Sequence, residues 1–585
     1  MFVGIGMNLV RGGASASPAS LFAASEPGVW YDPSDLTTLF QDNTGTTPVT
    51  AAGQTVGLML DKSQGLALGS ERLTNGDFSG GSTGWSVTGS DATHIATFSN
   101  GTLRYQSDTT TPILNVSQAG SMVVGKTYLV TVVTSAYTSG SIKSDAFGAT
   151  VVLSNGLGTI TFRGTASSTG FVITRNSTNV DITIDSISIK EIAGNHATQV
   201  TSTQRPIYGI NPIVGTRNLL TYTEQFDNAI WTKTNANVTV TANTTTAPDG
   251  TLTADTGTIS VGGTDSAIVQ SIFVANNSSA YTYSFYVKRV ASEVGVRFDM
   301  RFIGGTSTLN YACLLTWSTL TITKGGAVAT STSITDVGSG WYRISVTASN
   351  NSTGNTVAQL WVYPSASLIG PVEAGSVYLW GAQFETGSTA TAYQKVVSQY
   401  EVTQAGVASA SYIAFDGVDD GMVTPTITPA IDKAQVFAGL RKLSDTAQKI
   451  VAEMSATIVS NAGAFSLTAP NSAAANYNFS SKGTTQTDNV VTTYTAPITN
   501  VISGLGDIAG ASNLIRVNGS QVGSTLTTQG TGNYLAYPLY IGRRGGSTLP
   551  YNGRIYSLIA RFGPNLTTGQ ITSTESWVNG KTGAY

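Results

Sequence analysis

The stretch DITIDSISIKEI, residues 181–192, decides the fold class. Ile182 and Ile184, then Ile187 and Ile189, stand between Asp, Thr and Ser, so one face of an extended segment is apolar and the other polar. That period of two is the signature of a half-buried antiparallel strand. It recurs in TYLVTVVT (127–134), YTYSFYVKRV (281–290) and WYRISVTAS (341–349). Between such runs lie SNGLG, NNSS and SNNSTGN, whose Gly, Asn and Ser residues tolerate turn geometry. Short strands with turns of this kind predict an all-β chain built of tandem antiparallel β-sandwich (jelly-roll) domains.

A weak internal repeat divides the chain. ERLTNGDFSGGSTGWSVTGS, from Glu71, and RNLLTYTEQFDNAIWTKTNANVTV, from Arg217, each run Leu, polar turn, Phe, Trp. A Tyr-rich alternating strand follows each (Lys126 to Thr134; Ala280 to Arg289), and each closes on a late strand, IDSISIKEIAG or VYLWGAQFETG. A third module begins near Tyr412 and includes the hairpin signal VNGSQVGS. The predicted organisation is an N-terminal segment at 1–69, a sandwich at 70–195, a linker at 196–216, a second sandwich at 217–398 and a terminal one at 399–585. After the strand GRIYSLIARF, TTGQITSTESWVNGKTG predicts a short helix near the C terminus, capped around Asn565 to Thr568 and ended by Gly580, with Ile571 and Trp577 packing back.

Composition narrows the function. Charged residues make up only 11% of the chain against about 25% in an average globular protein, so hydroxyl and amide groups form its polar surface. A net charge of −3 gives no attraction for nucleic acid, and no apolar run approaches the roughly 18 residues of a membrane span. Neither nucleic-acid binding nor membrane insertion is expected. The one cysteine, Cys313, excludes an intrachain disulfide framework and reads as a small buried hydrophobe. The two histidines, His94 and His196, have no surroundings suggestive of a catalytic triad. Glu385, Glu401 and Glu453 are isolated, without the alternating carboxylates that a sandwich-type glycoside hydrolase aims into one cleft. The chain therefore reads as a non-enzyme.

Several phrases carry a resemblance. From Tyr412 onward, the opening FDGVDD, the hairpin R-V-N-G and the phrase YIGRRGGSTLPYNGRIYSLI resemble the concanavalin-A-like, laminin-G-like lectin domains of bacteriophage structural proteins. The two repeats, with N-G-D-F…G-W and a late I-D-x-I-S-I in the first, are similar to carbohydrate-binding jelly rolls. GVWYDPSDLTTLFQDNTGTTPVTAAGQTVGLMLDKSQG, at 28–65, resembles a phrase near the start of phage tail and virion-appendage proteins. The resemblance implies an exterior virion appendage, a tail fibre or spike subunit that binds host surface glycans and docks on other virion proteins through its N-terminal segment. It implies a homo-oligomer, with a trimer favoured by family analogy, and no required cofactor, with room for a structural calcium. Two other roles stay open: a head fibre, capsid decoration or neck protein, and a polysaccharide depolymerase.

Three sets of residues are candidates for sites. Sugar recognition pairs an aromatic face with groups that hydrogen-bond hydroxyls. Tyr534, Tyr537, Arg543, Arg544, Tyr551 and Asn552, in apparent loops of the third module, supply both; the alternative is local pairing of the arginines and a core role for Tyr537. Asp416, Asp419 and Asp420 offer oxygen donors for a hard cation, or else cap a turn. The jelly-roll resemblance implies a further calcium position at Asn75, Asp77 and Asp185, which the second repeat lacks because Tyr222 and Glu224 replace the first two. Trp30, Tyr31 and Asp32 are the candidates for virion docking, or else pack on the first sandwich. Trp85, Trp231, Trp341, Trp361 and Trp380 read as core.

Overall fold

A computed structural model describes residues 17–261, 266–291, 293–366 and 373–585. The beginning of the predicted N-terminal segment, residues 1–16, lies outside them. The described chain is almost entirely antiparallel β-structure in tandem sandwiches, with the C-terminal helix Thr568–Thr582. It forms two compact units: the chain up to Gly209 together with Ala410–Tyr585, and Ile210–Ser409. Among the described residues no helix is long and apolar enough to cross a membrane.

In the first unit, the first jelly roll stacks two sheets over a core that includes Leu103, Tyr105, Val130, Val132, Ile182 and Ile184. The strand Val180–Ile192 is central to one of them, between Thr127–Ser139 and Thr102–Ser107. Its register shifts between Ile184 and Ser186, leaving Asp185 bulged. The extra residue re-phases the alternation, so that Ile187 and Ile189 enter the same core as Ile182 and Ile184.

The terminal sandwich recruits strands from the N-terminal segment and the linker, which the sequence reading had set apart. Gly28–Tyr31 pairs antiparallel with the last strand, from Val29↔Ala560 to Tyr31↔Leu558. Leu39–Phe40, Leu58–Met59 and Ala197–Thr198 line up at the end of the other sheet, beside Met422–Ile427. Asp61 fastens these pieces: its carboxylate accepts hydrogen bonds from the backbone of Trp30 (2.8 Å), Ser63 (2.8 Å) and Asn195 (2.7 Å), while Asp61 N–H donates to Nδ1 of His196 (2.8 Å). Burial pushes the Asp61 carboxyl up to about 6 against these bonds, and pulls His196 down to about 4. The physical reason for the recruitment is that a short segment carrying Trp30, Leu39, Phe40 and Leu58 cannot bury them alone.

The closing helix begins with a capping box, Thr567 with Gln570, and runs three residues beyond the expected stop. Gly583, not Gly580, ends it: Gly583 adopts φ 62°, and its N–H reaches the Asn579 carbonyl at 2.7 Å. Val578 packs with Phe437, Val501, Ile559 and Trp30, and half-buried Ile571 and Trp577 join them.

The second unit is a jelly roll of its own. Six strands, ordered Val238–Thr245, Ala254–Ile259, Gly375–Thr386, Ala280–Arg289, Trp341–Ser349 and Ser331–Gly338, form one sheet. The facing sheet centres on Ile268–Phe273, Val357–Tyr363 and Gly295–Ile303. Tyr283, Phe285, Phe298, Ile344 and Leu360 fill the space between them.

Candidate functional site

The outer face of the first sheet of the second unit carries the candidate site. Alternation sends Tyr281, Tyr283 and Phe285 into the core and leaves Thr282, Ser284 and Tyr286 on the other side. The neighbouring strand Trp341–Ser349 likewise buries Ile344 and Val346 and turns Arg343 and Ser345 outward. On Gly375–Thr386 a bulge opposite Phe285 sets Trp380 beside Tyr286 while returning Ala382 and Phe384 to the core. Gly381 at this bulge has φ 63°, and a Cβ there would lie 2.8 Å from the Tyr286 ring.

After its last long strand the chain turns back across this face. Gly387 and Ser388 carbonyls accept from Thr282 Oγ1 (2.9 Å) and Thr347 Oγ1 (3.3 Å). Buried Glu385 then holds Thr391 by its N–H (2.9 Å) and its hydroxyl (2.6 Å). The strap delivers Tyr393 against Trp380, with ring centroids 4.8 Å apart, and Tyr286 lies 5.1 Å from Trp380 and 6.0 Å from Tyr393. These rings border an open cavity of about 590 Å³, whose lining also includes Glu224, Asp249, Arg343, Lys395 and Gln404.

Two of the four charges around the cavity pair with each other. Lys395 Nζ lies 2.7 Å from Glu224 Oε2, and the Tyr393 hydroxyl is 3.3 Å from Glu224 Oε1. Burial raises the Glu224 carboxyl, opposed by Lys395. Burial also raises Tyr393 well above the ordinary phenol range, with Glu224 adding to the effect, so its hydroxyl stays protonated. Arg343 donates to the Thr391 carbonyl (2.7 Å) and to Ser284 Oγ (2.9 Å), and its guanidinium lies 5.4 Å from the Tyr286 ring centre. Trp380 Nε1 donates to Thr253 Oγ1 (3.0 Å). Neither histidine of the chain lines this cavity. The arrangement offers ring surface for stacking and fixed donors and acceptors at its rim, the combination that suits a polyhydroxylated ligand.

The residues expected to bind sugar lie elsewhere and do not form such a surface. Tyr534 and Tyr551 are 0% exposed: the first hydroxyl is 2.5 Å from Ser481 Oγ and the second donates to the Arg441 carbonyl (2.9 Å). Arg543 donates to Gln204 Oε1 (2.9 Å), and Arg544 to Glu453 Oε2 (2.9 Å), a buried carboxylate. Tyr537 and Asn552 are half-buried on strands of different sheets. The flanking Gly and Pro residues suggested loops, but the rings complete the sandwich core.

The docking candidates are also interior. Trp30 stands edge-on to Trp577 with ring centroids 5.6 Å apart, Tyr31 donates to the Asn195 carbonyl, and Asp32 pairs with Lys62 (3.4 Å) and Lys581 (3.2 Å). They pack within the terminal sandwich because Gly28–Tyr31 is one of its strands.

Of the proposed metal ligands, Asp416, Asp419 and Asp420 bring carboxylate oxygens within 4.8 Å of one another. Asp416 Oδ1 accepts from the N–H groups of Val418 (2.7 Å) and Asp419 (3.2 Å), and Asp420 Oδ2 from that of Asp416 (3.0 Å), which is turn capping. Burial, then Asp416, pushes Asp420 up to about 7. Asn75 spends both ends of its amide on its own loop, donating to Gly81 and Thr83 and accepting from Gly80. Asp77 caps Ser79, and Asp185 is the exposed bulge residue.

No protein-family model matches the chain, and no curated protein sequence matches it. Solved structures similar to parts of it include the CBM40 module of a Ruminococcus gnavus sialidase bound to α2,3 sialyllactose, at 13% identity over 25% of this chain and 84% of that one, TM-score 0.21. The SAP-like pentraxin of Limulus polyphemus is 14% identical over 28% and 79% of the two chains, TM-score 0.23. The tandem CBM22 domain of Paenibacillus barcinonensis Xyn10C is 8% identical over 58% of this chain and 100% of that one, TM-score 0.21. These neighbours are carbohydrate-binding modules and a pentraxin of lectin-like fold.

Proposed function

We propose that the second unit binds saccharide, and that the chain is a non-enzymatic adhesin of a phage virion appendage, a tail fibre or spike subunit on the virion exterior. The observation that carries the binding role is the convergence of Tyr286, Trp380 and Tyr393 on one cavity whose rim is hydrogen-bonding. The C–H faces of a sugar ring stack on such a surface, while Glu224, Lys395 and Asp249 meet its hydroxyls. Adhesion rather than hydrolysis is our reading of the site, because Glu224 is tied to Lys395 at 2.7 Å. The virion setting rests on the phrases at 28–65 and from Tyr412 onward. In an oligomeric appendage, several modest sites raise effective concentration and give avidity on a glycan-coated host.

A glycan array probed with the full chain and its Trp380→Ala variant tests the binding role. Saturable signal in the parent, at least tenfold weaker in the variant, is the expected result, about 1.4 kcal/mol or more. An array blank for the parent, or a variant that binds as well as the parent, overturns it.

A further inference from the structure

Arg343, which lines the aromatic cavity, reaches the strap through the Thr391 carbonyl. A second cavity, of about 360 Å³, shares that residue and lies on the same sheet face. Its floor is Arg343, Ser345 and Thr347, every second residue of Trp341–Ser349. One wall is Ser331, Ser333 and Thr335, and two residues on along the same strand Val337 borders the aromatic cavity. The other wall is the strap, whose Ser388, Thr389 and Ala390 line the second cavity and whose Ala392 and Tyr393 line the first. Strand and strap thus run side by side along both cavities, with Arg343 at the junction. The floor from Thr347 to Arg343 alone extends about 13 Å at about 3.3 Å per residue. Each cavity separately falls in the range of about 300 to 1,000 Å³ typical of ligand pockets.

The two halves differ in chemistry. One presents rings, and the other hydroxyls, each able to donate and to accept. Arg343 is the one charged residue in the second half, and it already donates to Thr391 and Ser284. At the far end Lys395 is matched by Glu224. Together the two linings carry two cations, Arg343 and Lys395, and two carboxylates, Glu224 and Asp249, so no net positive charge is offered to an acidic sugar.

We infer that the ligand is a linear, uncharged polysaccharide lying along Trp341–Ser349, with one sugar stacked at Tyr286, Trp380 and Tyr393 and the following sugars held by the hydroxyl-lined half. This rests on the saccharide-binding role above and adds length and charge to it. Calorimetry of the full chain with neutral gluco-, manno-, galacto- and xylo-oligosaccharides of one to six units, and with matched uronic-acid series, separates the two. Affinity in a neutral series rises at least tenfold between one and four units. Ser333→Trp, an exposed-wall substitution that fills the second cavity, removes that gain and leaves single-sugar binding unchanged. The milder Ser333→Ala/Thr335→Ala variant reduces the gain severalfold, which guards against a folding defect in the first. Binding that does not grow with length, or a gain that survives Ser333→Trp, overturns this inference while leaving the cavity a saccharide site. Tighter binding of a uronic-acid series overturns its charge assignment, and no binding in any series overturns both readings.

Discussion

The first and second jelly rolls enter their sandwiches by one device and diverge where they leave them. Asn75 and Tyr222 have φ of 56° and 51°, and each carbonyl accepts the indole N–H of a tryptophan, Trp85 at 3.0 Å and Trp231 at 2.9 Å. Phe78 and Phe226 pack on those indoles. Gln118 clasps the backbone of Thr74 through both ends of its amide (2.7 and 2.9 Å), and Gln270 clasps Thr221 in the same way (3.0 and 2.9 Å). Past the last strand the likeness stops. The first module carries Leu129, Thr131, Ser186, Ser188 and Lys190 on its outer face, and the chain then leaves for the terminal sandwich. The second sends its strap back over that face and gains Tyr393. A shared frame supplies stability, and the added segment completes the candidate site.

Removing the entry tryptophans is the strongest way to break this comparison. Trp231 is 0% exposed and Trp85 7%, so Trp231→Ala costs its own unit about 3–5 kcal/mol and Trp85→Ala somewhat less in the first jelly roll. Hydrogen exchange of the full chain, read module by module, measures both. If Trp85→Ala leaves exchange in its module unchanged, the device is not a shared one.

A smaller effect sharpens the difference. Asp255, buried in the second unit, accepts from the N–H groups of Phe226 (2.7 Å) and Asn243 (3.0 Å). Burial outweighs those bonds and pushes its carboxyl up to about 6, with Asp227 adding repulsion. The folded state therefore holds the proton more tightly than the unfolded chain does. The stabilisation from this group is complete below about pH 4 and is lost as pH rises through about 6, roughly 3 kcal/mol in all. The equivalent strand of the first jelly roll, Thr102–Ser107, has Leu103 and Tyr105 inside and no acid. Acidification from pH 7 to pH 4 raises the protection factors around Asp255, taken relative to intrinsic exchange at each pH, and Asp255→Asn flattens that rise. A wild-type profile as flat as the variant's would show that Asp255 is not the source.

Much of the frame was legible because it is local. Ile182 and Ile184 announce a strand, and the Leu, Phe and Trp of each repeat announce the entry device. What local pattern does not carry is pairing across hundreds of residues. Nothing near Gly28–Tyr31 indicates that its partner is Leu558–Arg561, so the segment read as a docking arm. The site was missed for a related reason. Trp380 sits on an alternating strand, is 4% exposed and clusters with Trp341, which bears out its reading as core, and it also lines the cavity beside Tyr286 and Tyr393. Its partner Tyr393 lies beyond the strand, in a segment without periodicity, and long-range bonds place it, among them Glu385 to Thr391 and Arg343 to the Thr391 carbonyl. Conversely, Tyr534 and Tyr551 sit among Gly, Asn and Pro and looked like loop residues, but a ring is large enough to reach the core from a turn.

The smallest expected effect separates ring from hydroxyl at the end of the strap. The Tyr393 hydroxyl is 2.8 Å from Thr223 Oγ1 and 3.3 Å from Glu224 Oε1. Neither partner depends on it: Thr223 Oγ1 also accepts from the Val396 N–H at 2.9 Å, and Glu224 keeps Lys395. Tyr393→Phe therefore loses about 0.5–1.5 kcal/mol of hydrogen bonding and keeps the stacking surface, so saccharide affinity falls only a few-fold. Tyr393→Ala removes the surface, and affinity falls tenfold or more. The ratio between the two variants, measured by calorimetry on the best-binding oligosaccharide, is the informative quantity. If Phe loses as much as Ala, the hydroxyl rather than the ring engages the ligand. The strap would then act through Glu224, and the contrast between the jelly rolls would be one of hydrogen bonding and not of aromatic surface.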